Sequence, residues 1–490
     1  DLEKINLAQD IPTLLKNTPS VITTSFPGAG IGYSSIRVRG SDPSRVNVTI
    51  NGVPYNDSES MGVWWVNLPD FASSIESIQI QRGVGTSTNG SAAFGGSLNI
   101  QTNAASDIAS FEINNTLGSF STIKNSVGFS TGFINDKFEL SGRLSRIKSG
   151  GYIDRSGSKL RSYFLQGVYK DSNTLLKLLN FAGHELTDQA WFGIDASTLE
   201  SNRKYNPAGE YYDKNGNIQY YNNQDEDYKQ DHYQIHWNQS YENGWISNFG
   251  LHYTYGRGYY ESYNLAFDTN SSDNIDRRWL DNNFYGLIFS LNDKSDNYNA
   301  IVGGSYNKYE GQHFGEYLWY ADSNKLNNYK EKFYDDYGNK SEFNFYAKLD
   351  YYLSQRLLIY GDLQYRNINY NASITPYSVI LGYVEKGYDK IDKKFNFFNP
   401  KIGLFYNKNE DNQLYISYAR AQREPTRADY ANGSPNPEKL HDFELGWRRT
   451  FSSFSINLNA FYMLYDDQLV LTGERDINGY EIRTNVGESY

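Results

Sequence analysis

The feature that most constrains this chain is a two-residue alternation of apolar and polar side chains, recurring over most of its length. In "KFELSGRLS", Phe138, Leu140, Gly142 and Leu144 take one face, while Lys137, Glu139, Ser141 and Arg143 take the other. "EFNFYAKLDYYL" puts Phe343, Phe345, Ala347, Leu349, Tyr351 and Leu353 opposite Glu342, Asn344, Lys348 and Asp350. "WISNFGLHYTY" sets Trp245, Phe249, Leu251, Tyr253 and Tyr255 against Asn248, His252 and Thr254, and "FSINLNAFYML" repeats the pattern from Phe454 to Tyr462. A period of two belongs to a strand with one face in an apolar medium. The segments run about 9–13 residues, the length of a tilted strand crossing a bilayer.

Tight linkers, such as 134–137 and 170–173, alternate with long polar ones near 183–231, 258–282, 308–341 and 370–394. Short turns at one end and long loops at the other are the pattern of a transmembrane β-barrel. A solenoid or propeller would show a fixed repeat period, and none is found. Composition agrees: 44 Tyr and 27 Phe, both strand formers, stand against 2 Met. A mean hydropathy of −0.68 and the lack of any 18-residue apolar run exclude a transmembrane helix but not a barrel, whose strands never build such a run. The chain has no cysteine, which rules out disulfides and thiolate metal sites, and its net charge of −11 argues against nucleic-acid binding.

Residues 1 to about 105 differ in texture. They hold a short amphipathic segment, "IPTLL" at 11–15, and brief strands at 35–39 and 46–51, and read as a small α/β module. Residues 106–490 read as the barrel. About fifteen strands can be counted in a class that uses even numbers. The final "YEIRTNVGESY" reads as half a hairpin, so further strands are expected beyond Tyr490.

The glycine-rich "IESIQIQRGVGTSTNGSAAFGGSLNIQT" at 75–102 is not a dinucleotide fingerprint. Thr88 stands where the third glycine belongs, and Leu98, Ile100 and Thr102 alternate as a strand. No catalytic constellation appears: there is no G-x-S-x-G and no H-E-x-x-H. His232 and His236, both on one strand face, would lie about 13 Å apart, too far to share a metal. The acidic runs at 225–227 and 335–336 read more readily as solvated loops than as calcium sites.

Six ordered motifs carry a family resemblance over essentially the whole chain. "SIRVRG" at 35–40, "VNVTINGVP" at 46–54 and the glycine-rich stretch resemble the plug signatures of TonB-dependent outer-membrane receptors. "NPKIGLFY" at 399–406, "SYARAQREPTRADY" at 417–430 and "NPEKLHDFELGW" at 436–447 resemble the barrel signatures of that family. "YNDSESMGVWWVNLPDF" at 55–71 is similar to its Bacteroidetes branch.

The resemblance implies a 22-stranded antiparallel barrel, its last strands outside this sequence, enclosing an N-terminal plug. It implies a Gram-negative outer-membrane location, no enzymatic activity and no cofactor, since a metal chelate would be cargo. Uptake would be energised by the TonB–ExbB–ExbD complex acting through a segment upstream of Asp1. Outer-membrane lipids surround the barrel, a surface lipoprotein is admitted as a further partner, and no nucleic acid is involved.

Glycines 83, 85, 90, 95 and 96 would let the plug turn tightly against the barrel wall. Arg39 and Arg82 match plug arginines that pair with barrel glutamates, one of them Glu444 and the other beyond Tyr490. Cargo contacts are expected from three outward plug turns (25–33, 41–45 and 55–65), namely Tyr33, Arg45, Tyr55, Asp57, Ser58, Glu59, Trp64 and Trp65. Loop aromatics Trp191, Tyr259, Tyr260, Tyr263 and Trp319 are further candidates, each weighed against a role in the interfacial aromatic girdle. An iron–siderophore complex is the first expectation for cargo, with cobalamin, haem and oligosaccharide as alternatives. Haem is disfavoured because no histidine lies between Arg423 and Leu440, His441 falling just after. A non-transporting surface receptor is the rival of another class.

Overall fold

The computed structural model describes residues 2–90, 94–266, 272–322, 328–375, 389–475 and 481–490. Parts of the expected loops 258–282, 308–341 and 370–394 lie outside these residues. Among the described residues, sixteen strands form one antiparallel sheet in strict sequence order, from Ala109–Gly118 at one edge to Glu481–Ser489 at the other. Neighbours in sequence are neighbours in space, because a short turn can join only adjacent antiparallel strands.

The two ends of the sheet differ. At one end the connections span 132–137, 171–173, 241–245, 295–297, 355–356, 410–411 and 451–454. At the other, apart from the tight 119–121 turn, they include 150–157, 189–224 and 424–437. The alternation sorts by face as the sequence requires. Leu144 is 66% exposed on the outer face, whereas Arg143 and Glu139 on the inner face are buried. Leu349, Phe345 and Phe343 point outward, and His252 points inward, its Nε2 donating to Asn307 Oδ1 at 2.9 Å.

The expected loops are shorter than the sequence suggests, and the strands longer. Most of 258–282 and 308–341 is ladder, in Ile246–Asn264, Asn274–Lys294, Tyr298–Tyr320 and Glu331–Ser354. Beyond the bilayer neither face needs to be apolar, so alternation fades while the backbone hydrogen bonds continue. Hydropathy reports where lipid ends, not where the strand does.

The N-terminal module carries a four-stranded mixed sheet, ordered Val53–Pro54, Val46–Ile50, Gly96–Thr102, Ile75–Arg82. Val46–Ile50 is buried along its whole length, and pairs in parallel with Gly96–Thr102. Ile36, Val38, Val48, Ile50, Leu98, Ile100, Trp65 and Phe71 make a core that runs on into Phe164, Leu179 and Phe181 of the barrel wall. Phe71 and Phe181 lie 5.0 Å apart, centroid to centroid. The module therefore shares its apolar core with the inner surface of the sheet.

Candidate cargo site and the contacts that seat the plug

The plug turns reach toward the long-loop end. Tyr152, in the 150–157 connection, donates its backbone N–H to Pro27 O at 2.7 Å. There Tyr33 packs edge-on against Trp64 at 6.0 Å and Trp191 at 5.3 Å, and Trp191 meets Tyr260 at 6.4 Å. Trp64 is 49% exposed and Phe192, stacked on Trp191, is also exposed, so the cluster presents apolar surface to the outside. Arg278 sits 5.9 Å from the Tyr260 ring. These aromatics form a platform able to stack on a planar ligand.

Alternation separates the other loop aromatics. Tyr260 opposes Glu226 on the inner face, so its neighbour Tyr259 points out of the barrel, in line with Trp279 at 4.7 Å. Trp319 also faces outward, stacked on Tyr263 at 6.1 Å. Tyr259, Tyr263 and Trp319 are therefore corrected from cargo contacts to outer-face residues.

Most of the polar turn residues are already engaged by the protein. Glu59, 3% exposed, accepts from Tyr370 Oη at 2.6 Å and Arg427 Nη1 at 3.1 Å, and bonds His313 Nε2 at 2.7 Å. Burial would raise its pKa, but His313 and then Arg427 and Tyr370 hold it below the ordinary carboxylate value. Ser58 offers its carbonyl to Lys340 Nζ at 2.7 Å. Asp57 caps its own turn, accepting from the Ser60 N–H at 2.7 Å. Tyr55 donates to Gln230 Oε1 at 3.3 Å.

Arg45 forms an ion pair at 2.5 Å with Glu438, which Arg423 engages from the other side at 2.6 Å. Trp65 is 2% exposed and belongs to the core. Glu59, Arg45 and Trp65 are thus corrected: they hold the plug to the wall rather than facing a ligand. A carboxylate or guanidinium on a plug turn finds its partners on the enclosing strands, and one sequence position cannot reveal partners 250 to 400 residues away.

Arg39 donates through Nη1 to Glu444 Oε1 at 2.6 Å and through Nη2 to Asn459 Oδ1 at 2.8 Å, and lies 4.0 Å over Phe461. Arg82 is exposed and makes no ion pair with a described residue. Gly83, at φ +74°, accounts for one glycine of the glycine-rich stretch at 75–102. A Cβ there would fall on the Asp442 carboxylate and stand 2.7 Å from Arg39 Nη1 and 2.8 Å from Glu444 Oε1. Gly90, Gly95 and Gly96 instead lie against the plug's own Asn47, Ser41 and Val38, so their expected contact with the wall is corrected. They allow plug segments to approach each other rather than the barrel.

Sequence reasoning missed several further buried contacts. Asp70 takes Lys124 at 2.5 Å and Arg143 at 3.0 Å. Asp362 accepts from the Ser87 N–H at 2.8 Å, and Lys401 reaches Ser87 Oγ at 2.7 Å. Arg366 bridges Glu342 at 2.8 Å and Glu424 at 3.3 Å. The only available signal was a charge on the inner, plug-facing register of an alternating strand, as at Arg143. Between plug and wall lies a cavity of about 250 Å³, lined in part by Asn51, Thr88, Gln101, His236, Asn238 and Ser305.

His232 bonds Thr254 and Gln230, and His236 bonds Gln234. No group of three metal ligands occurs among the described residues. His441 points away from the lumen, since Glu438 and Glu444 on the opposite parity meet the plug arginines. It bonds Tyr418 Oη at 2.9 Å instead.

The profile described as "TonB-dependent Receptor Plug Domain" matches residues 1–97, and that described as "TonB dependent receptor-like, beta-barrel" matches residues 196–490. The chain belongs to the TonB-dependent receptors. This receptor is a protein of the Gram-negative outer membrane, and its barrel-like sheet with an N-terminal plug is the family fold. It is 32% identical to the vitamin B12 transporter BtuB of Vibrio vulnificus over 153 residues, which are 31% of this chain and 24% of that protein. It is 32% identical to the probable TonB-dependent siderophore receptor PirA of Acinetobacter baumannii over 112 residues, 21% of this chain and 15% of that one. The matches thus span a quarter or less of either relative's length. Among solved structures, the copper transporter OprC superposes with a TM-score of 0.76 at 13% identity, covering 98% of this chain and 73% of that one. The ferric citrate transporter FecA in its unliganded form gives 0.73 at 14%, covering 95% and 69%.

Proposed function

We propose that this receptor takes up a scarce metal chelate, first an iron–siderophore complex, across the outer membrane. Residues 1–105 act as plug and 106–490 as barrel, energised by a TonB–ExbB–ExbD complex that pulls on the plug's N-terminus. The observation that carries the reading is the contrast between the two surfaces of the plug. Its wall-facing charges are buried and paired, as at Arg39–Glu444, Arg45–Glu438 and Glu59–Arg427. Its apex leaves Trp64 half exposed beside Tyr33, Trp191 and Tyr260. Arg39, Arg82 and Glu444 serve as a lock that must release before a path opens.

The aromatic platform suits a planar, electron-rich chelate better than a small hydrated ion. This is mechanical gating without bond chemistry, so no enzyme activity and no resident cofactor are proposed. Cobalamin is the second reading, supported by the similarity to a vitamin B12 transporter.

The test is accumulation of radiolabelled iron chelates and of cobalamin by cells expressing the full-length protein, with and without a protonophore. Protonophore-sensitive accumulation of one chelate is expected. Cobalamin accumulating alone would replace the first reading with the second. Energy-independent binding with no accumulation would establish a non-transporting receptor instead.

A further inference from the structure

Four acids buried between plug and wall each meet a cation. Glu59 meets Arg427, Asp70 meets Lys124 and Arg143, Glu424 meets Lys340 and Arg366, and Glu438 meets Arg45 and Arg423. One inward-facing pair departs from this pattern. Glu185, on Thr174–Asp188, and Glu226, on the neighbouring Asp225–Ser240, make no ion pair with a described residue. The charges acting on Glu185 are Glu226, Asp10 and Asp227, all acidic. Glu185 is 1% exposed; its Oε2 accepts from Thr187 Oγ1 at 3.2 Å, and its Oε1 has no partner among the described residues. A buried carboxyl oxygen with like charges beside it is costly unless a proton or a cation reaches it.

The position of the pair ties it to the aromatic platform. Glu226 lies directly across from Tyr260 on one side and Thr187 on the other, and the Tyr33 hydroxyl donates to it. Glu185 lies across from Tyr228, so the two acids are diagonal neighbours, about 7 Å apart. Tyr33 and Tyr260 both meet Trp191, and Tyr33 meets Trp64, so the acids stand at the foot of the rings. Glu226 is only half-buried, within reach of a group held among those rings. On the outer face of its strand the exposed apolar register ends at Tyr233 and the paired Asp231 and Lys229 follow, which puts Glu226 beyond the lipid. Arg278, beyond Tyr260, is held by Asp276 at 3.3 Å. Ring faces and carboxylates attract the same partner, an organic cation. Two carboxylates among rings do not suit a hard metal ion, which asks for about six or more oxygens.

We propose that the cargo carries a pendant cation, an ammonium or guanidinium, that seats against Glu226 and Glu185 at the foot of the platform, so that this receptor selects cationic chelates over neutral or anionic ones. The proposal rests on the reading of these aromatics as the cargo site.

The test is an equilibrium titration on the full-length protein in detergent with two matched pairs of probes. One is a ferric trihydroxamate ending in a primary amine, with its N-acetylated form; the other is an aminoalkyl cobalamin, with its N-acetylated form. Within each pair only one positive charge differs. The amine of at least one pair should bind about tenfold or more tightly than its acetylated form. Burial holds both carboxyls above the ordinary carboxylate range, so protons compete with the cation. Facing the pair are Tyr33, Tyr55 and Asp10 from the plug, Tyr228 and Asp227 from the strand of Glu226, and Tyr260 from the next. The preference should therefore shrink as pH falls from about 8 to about 5. Glu226→Gln, which keeps an acceptor for Tyr33, should abolish the preference and its pH dependence, with a thermal midpoint no lower than the parent's. Glu185→Gln should reduce it. Asp281→Asn, a control that removes an acid paired with Arg257 on the outer face, should keep it.

Equal binding within each pair, or an undiminished preference in Glu226→Gln, overturns the proposal. If iron chelates accumulate in cells while amine and acetylated forms bind alike, the proposal fails and the iron reading stands. If only the cobalamin pair binds and its amine is preferred, the iron reading fails and the proposal stands. No binding by any of the four probes overturns both.

Discussion

Replacing Glu59 by alanine tests whether buried charge pairs seat the plug. The carboxylate is 3% exposed and faces His313, Tyr370 and Arg427. Removing one partner of a buried pair costs about 3–5 kcal/mol when the other charge is stranded. Arg427 would not be wholly stranded, because it keeps Asp336 at 3.5 Å and the Ser373 carbonyl at 2.5 Å. The lower end of the range therefore applies, with about 1 kcal/mol more for the lost Tyr370 hydrogen bond. The expected loss is about 3–4 kcal/mol, a factor of several hundred in the plug's opening equilibrium at 1.4 kcal/mol per decade.

The assay is hydrogen exchange by mass spectrometry on the detergent-purified protein. Amides of Val46–Ile50 and Gly96–Thr102 report on the plug, and those of Tyr298–Tyr320 on the barrel. Plug exchange should accelerate by two orders of magnitude or more while the barrel stays protected. Glu59→Gln, which keeps an acceptor for Tyr370 but no charge, should fall between parent and alanine. The native carboxylate has a lowered pKa, so its contribution is complete above the ordinary value of 4.5 and fades as pH falls below it. Plug exchange in Glu59→Ala within twofold of the parent would refute the reasoning.

Other perturbations separate further contributions. Gly83→Ala should loosen the plug more than Gly40→Ala by the same exchange assay. Both glycines have positive φ, but a Cβ at residue 40 meets nothing within 4 Å, while one at residue 83 strikes Asp442 and Arg39. Asp10, accepting from Ser34 Oγ at 2.9 Å, is raised by burial from 3.8 to about 8. A carboxyl raised on folding costs stability as pH climbs from about 4 to about 8, where only the unfolded form ionises freely. Asp10→Asn should flatten that decline in a denaturation series across this range. Trp65→Ala should destabilise by about 3–5 kcal/mol as a core truncation. Trp64→Ala should leave unfolding within about 1 kcal/mol and weaken cargo binding in an equilibrium titration.

The legible part of the site followed the local code. Arg39 and Glu444 could be paired because each lies in a motif, and Trp64 could be flagged because adjacent tryptophans on a turn are conspicuous. Tyr259 and Tyr260 could not be separated without register, since a shift of one residue exchanges the two faces. Glu59 and Arg45 looked like ligand contacts because a polar residue on a turn has solvent as its default neighbour, until a strand hundreds of residues away covers it.

The sequence alone determined a barrel of alternating strands with a small module ahead of it. A side-chain period of two is written residue by residue, and a bilayer accepts it only as a sheet whose backbone groups are paired. Only the tertiary structure decided which face of each turn is buried, how far the strands run past the lipid, and which acid meets which base. Those outcomes depend on contacts such as Arg45–Glu438 and Glu59–Arg427, 393 and 368 residues apart in the chain, formed only when the plug lies inside the sheet.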